Sequence, residues 1–216
     1  MRNNLLKQLT MALLIAVAMP CAKAQMAHVG DILCEGDLIV SPANYNANTH
    51  TAIGVVFYVD NTGQHGWAIA LEDAGKFAWG GFNSDTQLVN YGNGRQAIYD
   101  LDGYENTRIV REHSTDHPAF YAVDFANGWY VPTIGQLNYL YGNLIEVNAS
   151  LQAVGGGKFE TGSDWNYWSS TENSSYFSWY FTSSGEIKVG YMEHYYYWSY
   201  YESKNVERHV RAVRNF

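Results

Sequence analysis

The sequence is poor in cysteine, proline and basic side chains. Its 216 residues include two cysteines and four prolines. This excludes a multi-disulfide scaffold and a proline-rich linker. Thirteen basic residues stand against 21 acidic ones, for a net charge of −8. A general nucleic-acid binder is excluded on that balance. The apolar run Met11 to Met19 falls short of the roughly 20 residues that cross a bilayer, so no transmembrane segment is expected. What the chain has in quantity is aromatic side chain: 7 Trp, 18 Tyr and 9 Phe. With 47% apolar and 16% charged residues, it has the balance of a folded domain rather than a disordered tail. Its length suits one domain or two small ones.

The N-terminus reads as a targeting segment. Arg2 and Lys7 precede the apolar run, and Ala22-Lys23-Ala24 follows it. That is the pattern of a secretory signal peptide over residues 1–24, cleaved before Gln25. Cys21 offers the alternative of a lipid anchor, but Pro20 before it fits a lipidation box badly. Cleavage would reduce 216 residues to 192 and remove Arg2, Lys7 and Lys23, leaving ten basic residues against 21 acidic ones. Cys34 is then the single remaining thiol and is expected as a small buried apolar group. An exported protein of a bacterial envelope, cell surface or medium is expected.

Residues 25–51 are polar and Asn-rich and read as a lead-in with one short strand near 37–40. Residues 52–59 and 67–71 are runs of β-formers. Asp60-Asn61-Thr62-Gly63 between them marks a hairpin. Residues 73–107 read as loops, with Trp79 as a buried anchor. A first helix is expected from about His117 to Asn127, capped by Thr115 or Asp116, with Pro118 in its first turn and Gly128 as its stop. A second starts at Thr133, where Thr133 and Gln136 form a capping-box pattern. Its apolar face is Ile134, Leu137, Tyr141, Leu144, Val147 and Leu151. Residues 164–203 then hold 15 aromatics in 40 positions. Trp179 and Phe181 alternate with Tyr180 and Thr182, and Ile187 and Val189 with Glu186 and Lys188. These read as half-buried antiparallel strands joined at Ser183-Ser184-Gly185. His209 to Arg214 suits a closing strand. The expected fold class is α+β, with two helices and antiparallel strands in one domain over residues 52–216.

Four segments together resemble a known family. They are Gly128-Trp129-Tyr130-Val131-Pro132-Thr133 leading into a helix, Tyr167-Trp168-Ser169-Ser170-Thr171-Glu172 before a strand, Ser178-Trp179-Tyr180-Phe181, and Val210-Arg211-Ala212-Val213-Arg214 closing the chain. In this order and spacing they are similar to the C-terminal domain family of the Legionella collagen-like adhesin. The resemblance implies a C-type-lectin-like fold related to formylglycine-generating enzymes. Those enzymes need active-site cysteines, and Cys34 lies outside the matching region, so that activity is not expected. A narrower resemblance, over residues 173–205, is to the variable proteins of diversity-generating retroelements. It implies an exposed, diversified binding surface on a fixed scaffold.

The residues alone point the same way. Tyr, Trp, Ser, Asn and Gly are the side chains of antibody paratopes, where Tyr gives large contact area at low entropy cost. Tyr195-Tyr196-Tyr197-Trp198 and Tyr200-Tyr201 cannot all point inward from one segment. The candidate ligand-binding residues are therefore Tyr176, Tyr180, Glu186, Lys188, Tyr191, His194, Tyr195, Tyr197, Trp198, Tyr200 and Tyr201, on a face spanning 173–204. A protein ligand is the favoured partner. A glycan is the alternative, because aromatic platforms also stack on sugars. Sulfated glycans would need Lys188, Lys204, Arg208 and Arg211 to cluster. Trp129, Trp168 and Trp179 are assigned to the scaffold.

No catalytic, metal or cofactor site is expected. His113 and His117, with Glu112 and Asp116, straddle a helix start rather than sharing one face. Asp100, Asp102 and Asn106 do not match the spacing of a calcium loop. Asp164, Glu172 and Glu186 lie near aromatics, but nothing fixes the separation that a glycosidase pair needs. Ser169 and Ser170 lack a nucleophile-elbow pattern. Arg211 and Arg214 are expected to pair with carboxylates.

The exported chain should begin at Gln25. Mass spectrometry of the secreted protein checks this, and a lipid-modified Cys21 at the new N-terminus would overturn it.

Overall fold

In a computed structural model, two apolar runs start the fold by pairing with each other. The description covers residues 26–84, 86–160, 165–182 and 201–216, with residues 201–202 described by backbone only. The expected signal peptide, Cys21 and the cleavage site lie outside these residues. The strands and helices in chain order are β1 (Ile32–Cys34), β2 (Leu38–Val40), β3 (Ala52–Val59), β4 (Gly66–Ala70), β5 (Gly75–Ala78), α1 (Gly94–Ala97), α2 (Gly103–His113), α3 (Pro118–Tyr121), β6 (Trp129–Tyr130), α4 (Ile134–Gly142), α5 (Leu144–Ala153), β7 (Asn166–Glu172), β8 (Phe177–Thr182), β9 (Tyr201–Ser203), β10 (Glu207–Val210) and β11 (Val213–Asn215). The fold is mixed α+β.

The strands form two sheets. The first is ordered β2-β1-β3-β4-β11-β6 and the second β5-β10-β7-β8-β9. Neighbours in the first are antiparallel throughout. The second contains one parallel pair, β10 on β7. The hairpin β3–β4 falls where expected, and Asp60 shapes its turn by accepting from Thr62 Oγ1 at 2.7 Å. The strand expected near 37–40 is β2, and the lead-in adds a second that was not expected, β1, with Ile32 and Leu33 fully buried in the first sheet. The β1 run Ile-Leu-Cys is too short to stand out from its polar flanks, and pairing with β3 decides its conformation. Cys34 is buried as expected.

The helices also differ. Residues 103–113, of which 103–107 were expected as loop, form α2, because Asp102 caps it by accepting from Glu105 N at 3.0 Å. Its buried face is only Gly103, Thr107 and Val110, too polar to show as an apolar stripe. The helix expected over 117–127 stops after one turn at Tyr121 and resumes as a 3₁₀ turn over Phe125–Asn127. Arg111 Nη1 takes the Phe120 carbonyl at 2.9 Å, which a continuing helix would need for residue 124. Gly128 ends this segment at φ 85°. The second helix has its capping box, Thr133 with Gln136. It breaks at Asn143, whose Nδ2 donates to Phe57 O at 3.0 Å and fixes the start of α5 against β3. Its apolar face packs as expected, with Ile134, Leu137, Val147 and Leu151 buried.

In the second sheet, β7 and β8 are buried on both faces. Tyr167, Trp179 and Phe181 join one core with Ile32, Val55, Phe57, Leu137 and Leu151. Trp168 and Tyr180 join another with Trp79, Phe120, Val123 and Val210. The alternation along β8 is real, but it separates two cores rather than core from solvent. Trp79 is the anchor expected, fully buried, with Nε1 donating to Ser169 O at 2.7 Å. The four motif segments are linked one to the next: Ser170 N donates to Pro132 O at 2.7 Å, Arg214 pairs across strands with Trp129, and Tyr167 and Trp168 pair with Phe181 and Tyr180.

Trp168 has no exposed surface, and its Nε1 donates to Phe77 O at 2.9 Å. Trp168→Ala should therefore destabilise the protein by about 3–5 kcal/mol, the usual cost of emptying a large aromatic site. Denaturant melts check this, and an unchanged midpoint would remove Trp168 from the scaffold.

Candidate functional site

Buried charge brackets the aromatic segment in the sequence. Glu172 ends β7 and Lys204 follows β9, so the two bracket residues 173–203. Both are buried, and Lys204 Nζ bonds Glu172 Oε1 directly. Lys204 Nζ also donates to Ser84 O at 2.8 Å and lies 4.5 Å from the centre of the Trp79 ring. Thr86 Oγ1 donates to Glu172 Oε2 at 2.7 Å. Each charge thus has an opposite charge and further polar partners, which is what burial demands.

Backbone bonds continue the clamp on both sides. Lys204 N donates to Tyr176 O at 3.1 Å, and Gly80 N donates to Lys204 O at 3.0 Å. Tyr91 N donates to Glu172 O at 2.9 Å, and Tyr91 O accepts from Trp179 Nε1 at 2.7 Å and Asn173 Nδ2 at 3.2 Å. The 79–91 loop is therefore stitched to the segment's base. Two of its residues, Asn83 (φ 60°) and Gln87 (φ 65°), hold left-handed backbone without being glycine, the local strain that binding loops often carry. The close approach of His117 to Gly80 needs glycine, since a Cβ there would meet His117 Cδ2 at 2.4 Å.

At the mouth of the clamp stand two exposed rings. Phe82 is 62% exposed and Tyr176 41%, with ring centroids 5.1 Å apart. Tyr176 is thus a surface residue as expected. Tyr180 is not. It is a core residue, and the Arg208 guanidinium lies 3.9 Å from its ring centre. The cause is the second core, which takes the face of β8 assumed to meet solvent. Tyr201 pairs with Trp179 by backbone register. Glu186, Lys188, Tyr191, His194, Tyr195, Tyr197, Trp198 and Tyr200 lie outside the described residues, as does the expected hairpin of 186–189 with β8. Sequence reasoning missed Phe82 and the clamp. The signals were an apolar ring inside the turn-rich stretch Gly80-Gly81-Phe82-Asn83, and opposite charges flanking an aromatic block.

The remaining candidates are dispersed. His113 sits at the end of α2 with Nδ1 2.9 Å from Ile109 O. His117 is buried, with Nε2 3.3 Å from Ser84 Oγ. Burial, helped by the Lys204 charge, pushes the His117 imidazole down, so it is neutral near neutral pH. Its Nδ1 has no hydrogen-bond partner among the described residues, so this serine–histidine contact lacks the orienting acceptor of a triad. Asp102 caps α2, and Asp100 accepts from Asn106 Nδ2 at 2.9 Å. Asp164 lies outside the described residues. Arg211 pairs with Asp73 at 2.9 Å and Arg214 with Asp37 at 2.6 Å, the carboxylate pairing expected of them. Lys204, Arg208 and Arg211 are directed inward, onto Glu172, the Tyr180 ring and Asp73, and form no basic surface cluster.

Removing one partner of the clamp should cost about 3–5 kcal/mol, because the other charge is left buried alone. Lys204→Met is expected to lower stability by that amount, while Lys204→Met with Glu172→Gln should recover most of it. A double-mutant cycle from urea melts checks this, and additive single losses would show that the two residues act separately.

No protein-family model and no curated protein matches the sequence. Among solved structures, the chain is similar to a fimbrial protein from Bacteroides ovatus ATCC 8483, with 19% sequence identity and a TM-score of 0.63. The match covers 88% of this chain and 49% of that one, so this chain spans about half the length of the protein it resembles. At that identity the likeness is one of fold.

Proposed function

We propose that the protein is an exported, non-catalytic recognition module of C-type-lectin-like architecture, binding a protein partner through the aromatic surface of residues 173–204. The observation that carries this reading is the clamp. A buried Glu172–Lys204 pair and the β8–β9 pairing hold both ends of the most aromatic stretch of the chain. A rigid base under a Tyr-rich segment is the arrangement that binding surfaces use to limit the entropy lost on contact. The exposed Phe82–Tyr176 pair extends the same surface onto the scaffold.

Three further points support it. The motifs behind the adhesin-family resemblance are linked to one another by hydrogen bonds and strand pairing. The fold neighbour is named a fimbrial protein, which fits a place at the cell surface. Among the described residues, no helix is long and apolar enough to cross a membrane. A neutral glycan is the second reading, favoured by the same exposed rings. The inward direction of Lys204, Arg208 and Arg211 argues against sulfated glycans. A diversified surface implies a reverse transcriptase gene nearby, beside an adenine-rich near-copy of the last codons.

The test is binding. The purified protein, screened on a glycan array and on an array of cell-surface proteins, should select proteins. Hot-spot rings contribute about 2 kcal/mol or more each when cut to Ala. Tyr197→Ala with Tyr200→Ala should therefore weaken the selected interaction at least tenfold and leave the melting temperature nearly unmoved. Collapsed melting, with normal binding by the protein that remains folded, would show that this run is core and overturn the assignment.

A further inference from the structure

The clamp brings together two groups that can react with one another. Lys204 is 0% exposed and Glu172 3%, so a primary amine and a carboxyl lie in direct contact, shut off from solvent. Both are held from their backbones outward. Lys204 N donates to Tyr176 O at 3.1 Å, and Lys204 O accepts from Gly80 N at 3.0 Å. Glu172 is fixed by its register opposite Ser178 in β8, and its carbonyl accepts from Tyr91 N at 2.9 Å. The side chains are oriented as well. Nζ donates to Ser84 O at 2.8 Å beneath the buried Trp79 ring, and Oε2 of Glu172 accepts from Thr86 Oγ1 at 2.7 Å. Reactants fixed in contact react as one molecule, without the entropy cost of an encounter. A buried ion pair also carries a desolvation cost that an uncharged product would not.

We propose that Lys204 and Glu172 condense to an intramolecular amide, Nζ to Cδ, with release of one water. A proton first passes from Nζ to the Oε1 it touches, giving amine and carboxylic acid, the uncharged forms that burial favours. The Nζ lone pair then forms the bond to Cδ, and negative charge develops on Oε2. The Thr86 hydroxyl already donates to that oxygen and stabilises it there, as an oxyanion-hole donor does. A second Nζ proton moves to Oε1, the Cδ–Oε1 bond breaks with its electron pair going to oxygen, and water leaves. The three ammonium protons are accounted for: two depart with Oε1, and one stays on the amide nitrogen. No oxidant, reductant or other reactant enters. The existing contacts fit the product, since Ser84 O can accept the amide N–H and Thr86 Oγ1 can donate to the amide carbonyl. The bond closes a covalent loop around residues 173–203, the constraint that a disulfide supplies elsewhere. Cys34, the described thiol, is buried in β1 and takes no part in it.

Peptide mapping of the purified full chain, kept folded and then denatured and digested with trypsin, tests this. Residues 159–188 and 189–208 should appear as one branched peptide, one water lighter than the two linear peptides together, with cleavage after Lys204 lost. Fragmentation should place the branch at Glu172. Lys204→Arg keeps the positive charge but offers a guanidinium that is not a nucleophile, so its digest should be linear, with cleavage restored after position 204. Linear peptides alone from the unsubstituted protein, or a branch at a different acid, would overturn the proposal. The urea-melt cycle on these two residues applies to chains not yet joined, which the digest counts. The proposal rests on the clamp and not on the recognition reading. A linear digest would leave Glu172 and Lys204 an ion pair and that reading intact, while empty binding arrays would leave the digest unchanged.

Discussion

The architecture turns on one buried guanidinium. Two chain segments change sheet side by side: β4 leads into β5, and β10 leads into β11. A chain that leaves a sheet leaves carbonyls without ladder partners. Arg211 sits at this crossing, 2% exposed, and meets them. Its Nε donates to Ala70 O at 2.9 Å, and its Nη2 to Leu71 O at 2.6 Å and Gly157 O at 2.7 Å. Its Nη1 bonds Asp73, whose other oxygen pairs with His209 Nδ1 at 3.0 Å. Only a planar fork with five N–H groups reaches so many acceptors at once, so lysine would not substitute. Through Arg211 the turn after β4, the glycine run after α5 and the C-terminal strands become one unit.

This constraint explains which parts of the fold were legible. The β3–β4 hairpin and the capped start of α4 were readable, because each is decided by neighbours in sequence. The Thr133–Gln136 box needs four residues, and the Asp60 turn three. β1 and β5 were not readable, because partners far along the chain decide them: β1 is a strand because β3 receives it. α2 has a local cap in Asp102, but it was missed because its buried face carries almost no apolar stripe. The break at Asn143 follows from a carbonyl 86 residues away. Arg211 itself was legible only as a carboxylate partner. Its bonds to three carbonyls arise from the crossing, which no local pattern encodes.

The candidate site divides in the same way. Composition marked the aromatic block, and Tyr176 reaches the surface from it. Tyr180 does not, because period-two alternation states only that two faces differ. It does not say that one is wet. With Trp168 and Tyr180 on one face and Trp179 and Phe181 on the other, β8 separates two cores. On the proposed reading, recognition by this region would fall to the turns at the end of the sheet and to the segment between β8 and β9. Trp179 shows the link to the loop: its indole donates to Tyr91 O and so aligns the 79–91 loop with the strand that leads into the aromatic segment.

The placement of positive charge bears on what such a surface can meet. Lys204 and Arg211 are buried, Arg108 is engaged by Glu105 and Glu112 on its own helix, and Arg214 is held by Asp37. These cations serve the fold, in ion pairs that each neutralise an acid of the same chain. The net charge of −8 must then be carried by acids that are not so paired. Long-range attraction will favour partners of opposite sign and slow the approach of sulfated or phosphorylated ones. An aromatic segment supplies contact area without regard to charge, while the acidic field selects which partners arrive. On the proposed reading those two tasks would fall to different residues: the tyrosines between Glu172 and Lys204 in the sequence, and acids that no described basic side chain pairs.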